Sequence, residues 1–306
     1  MDDFPAAEAR ALLAGAVRRS VRLASGEFAL LDFGGDGPPV LLHHANGFCK
    51  GVFALVAERL RPRFRALAMD ARGHGDSARP EAPGSYAWAR FAEDFAGVAA
   101  SVAAECGLAR LPLAVGHSFG GTSLLGAAKR SPELFARIVL VDPVVPPRPE
   151  ELPPERREHV GALVERAGKR RHEWASRAEA RAFFAERELF ARFHPTALDL
   201  YVLDGLRERS DGRLELKCAG AVEAAIFAGG SGVDVPALAR GNATRALWLW
   251  AALGTFSRER YEALAATMAH ARVEALGAGH LAPMERPDLV ADAILRFADE
   301  GAGEIG

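Results

Sequence analysis

Apolar runs of strand length alternate with helical patterns along most of this chain, and that alternation restricts it to few folds. RSVRLA and EFALLDF open the series at residues 19–24 and 27–33, with Ser25-Gly26 as a hairpin turn between them. PVLLHHA, FRALAMD, LPLAVGH, RIVLVDP, RALWLW and ARVEALG follow, most of them separated by helical patterns such as GVFALVAERL, FAEDFAGVAASVAAEC and RYEALAATMAH. Strand, helix, strand in repetition predicts an α/β protein with a mainly parallel sheet and helices on both faces, because parallel neighbours need a crossover and the helix supplies it. PDLVADAILRFAD, with Pro287 in its first turn, is expected as the last helix.

The alternation breaks once. From residue 146 to about 240 the chain opens with PPRPEELPPERRE, then carries helical patterns without convincing buried strands: REHVGALVERAGKRRHEWA, SRAEARAFFAERELF, PTALDLYVLDGLRER and AGAVEAAIFAG. A block of helices inserted between two strands of a parallel sheet reads as a lid over the carboxyl ends of the strands, where open α/β sheets place their ligands. The expected division is a core of residues 1–145 and 241–306 and a helical lid of residues 146–240. The lid aromatics Trp174, Phe183, Phe184, Phe190, Phe193, Tyr201 and Phe227 are expected mostly to pack helices, some of them lining a pocket.

Charge bears on partners. Thirty-eight basic and 40 acidic residues, spread along the chain for a net charge of −2, leave no electrostatic footprint for nucleic acid or an anionic membrane, so neither is an expected partner. Three cysteines, Cys49, Cys106 and Cys218, are too few and too scattered for a disulfide framework or a zinc site, and no metal is expected. The start MDDFPAAEARALLAGAVRRS is acidic at its tip and broken by charges, unlike a signal peptide. No stretch approaches the roughly 18 unbroken apolar residues of a membrane helix. The expectation is a soluble, cytoplasmic protein, with a homodimer left open.

LAVGHSFGGTSLL, residues 113–125, is where chemistry enters. The apolar run ends at Gly116, a helical run follows, and Ser118 falls at the junction. Gly116-His117-Ser118-Phe119-Gly120 fits G-x-S-x-G in the strand, turn, helix context that lifts a serine hydroxyl out of the backbone. A serine needs a base to take its proton and a third group to orient that base. This arrangement orders its triad Ser, acid, His, and His280 in Gly277-Ala278-Gly279-His280-Leu281 lies late, on a glycine-flanked loop after a strand. His280 is the candidate base, the bland alternative being a surface-loop histidine. His117 belongs to the elbow, His159, His172 and His194 to the lid, and His270 to a helical pattern.

PVLLHHANGF, MDARGHGDS, GHSFGG, RIVLVDP and GAGHLAPMERP, in this order, resemble the α/β-hydrolases of the lidded serine kind over residues 19–145 and 241–298. The resemblance implies an eight-stranded, mainly parallel sheet with the helical lid inserted after the sixth strand. It also implies an oxyanion hole from the backbone N–H groups of Phe48 and Phe119. Asn46 stands where the family usually has His, which leaves a backbone donor in place. The family most often carries its acid just after the seventh strand, but RALWLWAALGTFSRER offers no carboxylate before Glu259. A minority takes it from the end of the sixth strand, which here is Asp142, 24 residues after Ser118. A structural role for Asp142, with a Ser-His dyad or a water in the acid's place, is the alternative. Asp70-Ala71-Arg72-Gly73-His74-Gly75-Asp76-Ser77 reads as a structural turn, and His43 and His44 as core residues. Cys49 could face the pocket.

The implied activity is hydrolysis of a carboxylic ester, or a related acyl bond, of a small apolar substrate through an acyl-enzyme on Ser118, with no cofactor. Serine at the nucleophile position argues against the dehalogenase and epoxide-hydrolase branches, which use Asp there. Carbon–carbon bond, lactone and thioester hydrolysis are alternative chemistries of the family. A ligand-binding or sensor protein on a hydrolase scaffold is the alternative class.

Overall fold

A computed structural model describes residues 4–82, 84–146 and 154–300. Helix α1 (Ala7–Ala14) precedes strands β1 (Val17–Leu23) and β2 (Gly26–Asp32), which form the expected hairpin. Then come β3 (Pro39–His43), α2 (Ala54–Leu60), β4 (Arg65–Met69), α3 (Trp88–Glu105), β5 (Leu113–His117), α4 (Phe119–Arg130) and β6 (Arg137–Val141). After an inserted segment the alternation resumes with β10 (Arg245–Ala251), α10 (Arg258–Ala265), β11 (Ala271–Leu276), α11 (Ala282–Glu285) and α12 (Pro287–Asp299). The last helix spans the residues read from the sequence.

The sheet has eight strands in the order β1-β2-β4-β3-β5-β6-β10-β11, and only the pairs β1·β2 and β2·β4 are antiparallel. Side chains of successive strand residues point to opposite faces, and both faces are covered. Val40, Leu42, Val115, Val139 and Val141 join one cluster with Val56 of α2 and Ile294 of α12. Leu41, Ala114, Ile138 and Leu140 join the other with Phe95 of α3, Leu124 of α4 and Tyr261 of α10. Continuous apolar runs such as RIVLV therefore suit strands buried on both sides.

The inserted segment contains α5 (Pro154–Lys169), β7 (Glu173–Trp174), α6 (Arg177–Ala185), α7 (Pro195–Gly205), β8 (Leu206–Glu208), β9 (Leu214–Leu216), α8 (Gly220–Gly229) and α9 (Val235–Ala239). Most of the Pro-rich opening, residues 147–153, lies outside the described residues, as do residues 1–3 of the acidic start. The segment departs from an all-helical reading in holding a three-stranded antiparallel sheet, β7-β9-β8. Two or three residues per strand are too few to register as a period of two. His270 likewise lies in a turn before β11 rather than in a helix.

The insertion is not a detached unit. Trp174, Phe184, Phe190, Phe193 and Tyr201 are buried and belong to the same apolar cluster as Phe48, Val52 and Phe53 of the core. Tyr201 packs on Phe48 with ring centroids 5.1 Å apart, and Thr196 donates a hydrogen bond to Glu8 of α1 at 2.5 Å. Beneath α7, Lys50 is buried with its ammonium 2.6 Å from Asp70, 2.8 Å from Asp76 and 3.4 Å from Asp204. Burial alone would lower the lysine, but the charges of Asp70 and Asp204 outweigh it and hold the ammonium protonated. Burial would raise Asp76, yet hydrogen bonds from Lys217 and Lys50 bring it down to about 2. The Asp70–Ser77 loop is thus tied by ion pairs to the inserted helix α7.

Candidate active site

Parallel pairing sets the carboxyl ends of β5, β6 and β10 side by side. β5 ends at His117 and α4 begins at Phe119, leaving Ser118 alone between them at φ +56° and ψ −121°. Among the described residues, the non-glycine residues with positive φ are Ser118 and Asp142, the latter at +40°. Such backbone costs of order 1–3 kcal/mol and persists only where surroundings impose it. Here the Ser118 N–H donates to the Val141 carbonyl at 2.9 Å, and the Ser118 carbonyl accepts from Gly121 at 3.0 Å and Val144 at 3.2 Å. Gly120 lets α4 press on the end of β3, since a Cβ there would stand 2.6 Å from the carbonyl oxygens of His43 and His44.

His280 sits on the loop after β11. Glu285 accepts hydrogen bonds from Gly279 N–H at 2.7 Å and Leu281 N–H at 3.2 Å, gripping the backbone on both sides of the histidine. The His280 Nε2 lies 2.9 Å from Ser118 Oγ. His117 is fully buried, and burial brings its imidazole down to about 3, so it is neutral; its Nε2–H donates to the His280 carbonyl at 2.8 Å. Phe256 stands edge-on to the His280 ring, with centroids 5.2 Å apart.

Asp142 follows β6 directly and is fully buried. Its Oδ2 is 2.6 Å from His280 Nδ1, and its Oδ1 accepts from the Ala251 N–H at 3.0 Å. The end of β10, which carries no carboxylate, thus contributes a backbone donor to the acid on β6. Tyr261 lies with its hydroxyl 3.3 Å from Asp142 Oδ1 and 2.7 Å from the Pro143 carbonyl. Burial, then the Asp142 charge, raises this phenol, so it stays a donor.

The turn at residues 45–48 follows directly on β3. Gly47 adopts φ +81°, and the Phe48 N–H closes the turn on the Ala45 carbonyl at 3.1 Å. That bond occupies one of the two donors that the family resemblance implies, whereas the Phe119 N–H heads α4 at the positive end of its dipole. The Gly47 N–H donates to His74 Nε2 at 3.0 Å, while His74 Nδ1–H donates to the Arg72 carbonyl at 3.0 Å. Burial brings His74 down to about 4, which keeps Nε2 an acceptor. His44 likewise donates from Nδ1 to Ala45 at 2.7 Å and accepts from Ala71 N–H at 3.0 Å.

A family profile described as "Alpha/beta hydrolase family" matches residues 40–293 of the chain. The chain belongs to that family. The 2-(acetamidomethylene)succinate hydrolase of Mesorhizobium japonicum is 37% identical over 108 residues, covering 35% of this chain and 36% of that one. Protein phosphatase methylesterase 1 of Yarrowia lipolytica is 34% identical over 112 residues, covering 30% of this chain and 26% of that one. This chain therefore matches about a third or less of the length of these two relatives. A crystal structure of E-2-(acetamidomethylene)succinate hydrolase superposes with a TM-score of 0.76 at 25% identity, over 93% of this chain and 99% of that one.

In this α/β-hydrolase, Ser118, His280 and Asp142 come together from three strand ends, and Phe119 is adjacent in sequence to the serine. Cys49 is buried, and burial, with the charges of Asp204 and Asp70, raises its thiol well above the ordinary range. Sequence reading missed Glu285, Tyr261 and the Ala251 N–H. It also missed the ion pair of Arg170 with Glu223, which lies against Gly47: a Cβ on that glycine would stand 2.8 Å from Glu223 Oε1 and 3.3 Å from Arg170. Glu285 was the one open to detection, since GHLAPME places a carboxylate five residues after His280, at the end of the short helix α11 that precedes the last helix.

Proposed function

We propose that this chain is a serine hydrolase that cleaves a carboxylic ester, or a related acyl bond, of a small apolar substrate through an acyl-enzyme. The observation that carries the reading is the unbroken chain of contacts from Ser118 Oγ to His280, 2.9 Å, and from His280 to Asp142, 2.6 Å, built on two strained residues. Ser118 Oγ attacks the carbonyl carbon while its proton passes to His280 Nε2. Asp142 holds the imidazole with its proton on Nδ1 and balances the imidazolium that forms. The tetrahedral oxyanion is held by the Phe119 N–H and by the Phe48 N–H, shared between Ala45 and the oxyanion. The leaving alcohol takes the proton from Nε2. A water then gives a proton to Nε2 as it attacks the ester carbon, and Ser118 recovers that proton when the acid departs.

The elbow is backed by a buried apolar cluster of Trp88, Phe91, Phe119 and Ile226, with Val144 and Val222 packed against it, and the small apolar substrate is the part of this reading that the ester panel tests. Residues 146–240 act in this reading as a lid, supported by the contact of Arg170 and Glu223 with the Gly47 turn. The test is hydrolysis of short- and medium-chain p-nitrophenyl esters by the wild type and Ser118→Ala, with a fluorophosphonate label on both. Turnover and labelling lost together in the mutant support the acyl-enzyme. Absence of both in the wild type sinks the hydrolase reading and favours a ligand-binding scaffold.

A further inference from the structure

The peptide joining Gly47 to Phe48 is gripped from the inserted segment. Tyr201 of α7, a buried side chain, donates its hydroxyl to the Gly47 carbonyl at 3.2 Å. Burial pushes the phenol up to about 12, so it carries its proton at neutral pH. Arg170 donates to the Tyr201 oxygen at 2.8 Å, which leaves the hydroxyl hydrogen for Gly47, and the same guanidinium is paired with Glu223 of α8. Asn46 donates from Nδ2 to the Glu223 carbonyl at 3.1 Å, tying the preceding residue to the same helix.

A peptide is planar and trans, so its C=O and N–H point in opposite directions. Holding the Gly47 carbonyl therefore helps to hold the aim of the Phe48 N–H, beside that group's own bond to the Ala45 carbonyl at 3.1 Å. We propose that Tyr201 is a positioning residue that sets the direction of the Phe48 oxyanion donor through the Gly47 carbonyl, with Arg170 orienting its hydroxyl. This rests on the serine-hydrolase reading above. The inserted segment thereby supplies part of the transition-state machinery, in addition to any covering of the substrate. The rest of the turn does not depend on Tyr201, since His74 holds the Gly47 N–H independently.

The experiment compares wild type with Tyr201→Phe, which keeps the ring packing on Phe48, Phe184 and Phe190 at centroid distances of 5.1, 5.2 and 5.6 Å. Rates are normalised to sites titrated by a fluorophosphonate, so that any loss of folded protein drops out. The expected result is a kcat lower by roughly tenfold with KM within twofold, because a misaimed donor weakens only what forms in the transition state. The inhibition constant of an alkyl boronic acid, whose tetrahedral adduct occupies the oxyanion site, should rise by the same factor, and the pH dependence of kcat/KM should stay in place. A kcat and boronate constant both within twofold of wild type overturn the proposal. So does a change confined to KM, or a moved pH limb, which would place the effect on His280. Failure of the wild type to label or turn over removes the hydrolase reading itself, whereas a labelled, active wild type with an unaltered variant removes only the role of Tyr201.

Discussion

The substitution Asp142→Asn keeps the shape of the side chain and exchanges one carboxylate oxygen for an NH2 group, and the surroundings decide which way that group points. Oδ1 accepts from the Ala251 N–H at 3.0 Å, a backbone donor that cannot turn away, with the Tyr261 hydroxyl 3.3 Å off. The oxygen of the new amide must take that place, since an NH2 group there would face a donor at hydrogen-bond distance inside a fully buried site. The NH2 is then left 2.6 Å from His280 Nδ1, where it can only donate. His280 is driven to the tautomer with its proton on Nε2, pointing at Ser118 Oγ 2.9 Å away, and can no longer accept the serine proton. The comparable change in a serine protease triad lowers kcat about 10⁴-fold, or about 5.5 kcal/mol at 1.36 per decade. The assay is kcat for p-nitrophenyl butyrate at pH 7.5, with the rate of fluorophosphonate labelling and thermal melting measured on the same preparations. Turnover within tenfold of wild type, in a protein that melts normally, would refute the assignment of Asp142 as the orienting acid.

Glu285→Ala frees the N–H groups flanking His280 and is expected to lower kcat roughly 10- to 100-fold with little change in KM; a wild-type kcat would show that the loop holds itself. Gly120→Ala, which drives a Cβ to 2.6 Å from two carbonyl oxygens, should cost about 3 kcal/mol, and an unaltered melting curve contradicts it. Burial lowers His43 and His74 from 6.5 to about 4 and His117 to about 3. Because their folded values lie below the unfolded ones, stability is whole above pH ~6.5 and falls as pH drops toward 4, at up to about 1.4 kcal/mol per unit for each histidine. Three together remove about 6 kcal/mol by pH 5, comparable with the whole stability of many domains. Urea midpoints at pH 7.5 and pH 5.0 that coincide would refute this.

The sequence carried the sheet well because its strands are buried on both faces, so RIVLV and LAVGH stand out as apolar runs between helical periods. It carried Ser118 and His280 because their neighbours are glycines placed where backbone must bend or approach closely. It was silent where the candidate site is built by contacts between distant residues. Nothing local to Tyr201 signals a bond to Gly47, 154 residues earlier, and nothing in ANGF says that the Phe48 N–H folds back onto Ala45. β7, β8 and β9 were invisible because strands of two or three residues have no period. Asp142 was reachable only through the absence of a carboxylate after β10, and the detail that matters there, the Ala251 N–H on its free oxygen, is a backbone group that no side-chain pattern records.

The stretch from Pro143 to Pro146 joins Asp142 to the inserted segment, and it is bolted down along its length. Pro143 and Pro146 carbonyls accept from Tyr261 and Arg260 of α10, at 2.7 and 3.3 Å. Val144 donates to Ser118 and accepts from Thr122 of α4, at 3.2 and 2.5 Å. Movement of the roughly ninety residues beyond this splice meets a fixed anchor before it reaches the carboxylate. Grafts that exchange the insertion while retaining residues 142–146 should therefore leave the Ser118, His280 and Asp142 contacts in place, and only those that also keep Tyr201, Arg170 and Glu223 would preserve the hold on the Gly47 turn.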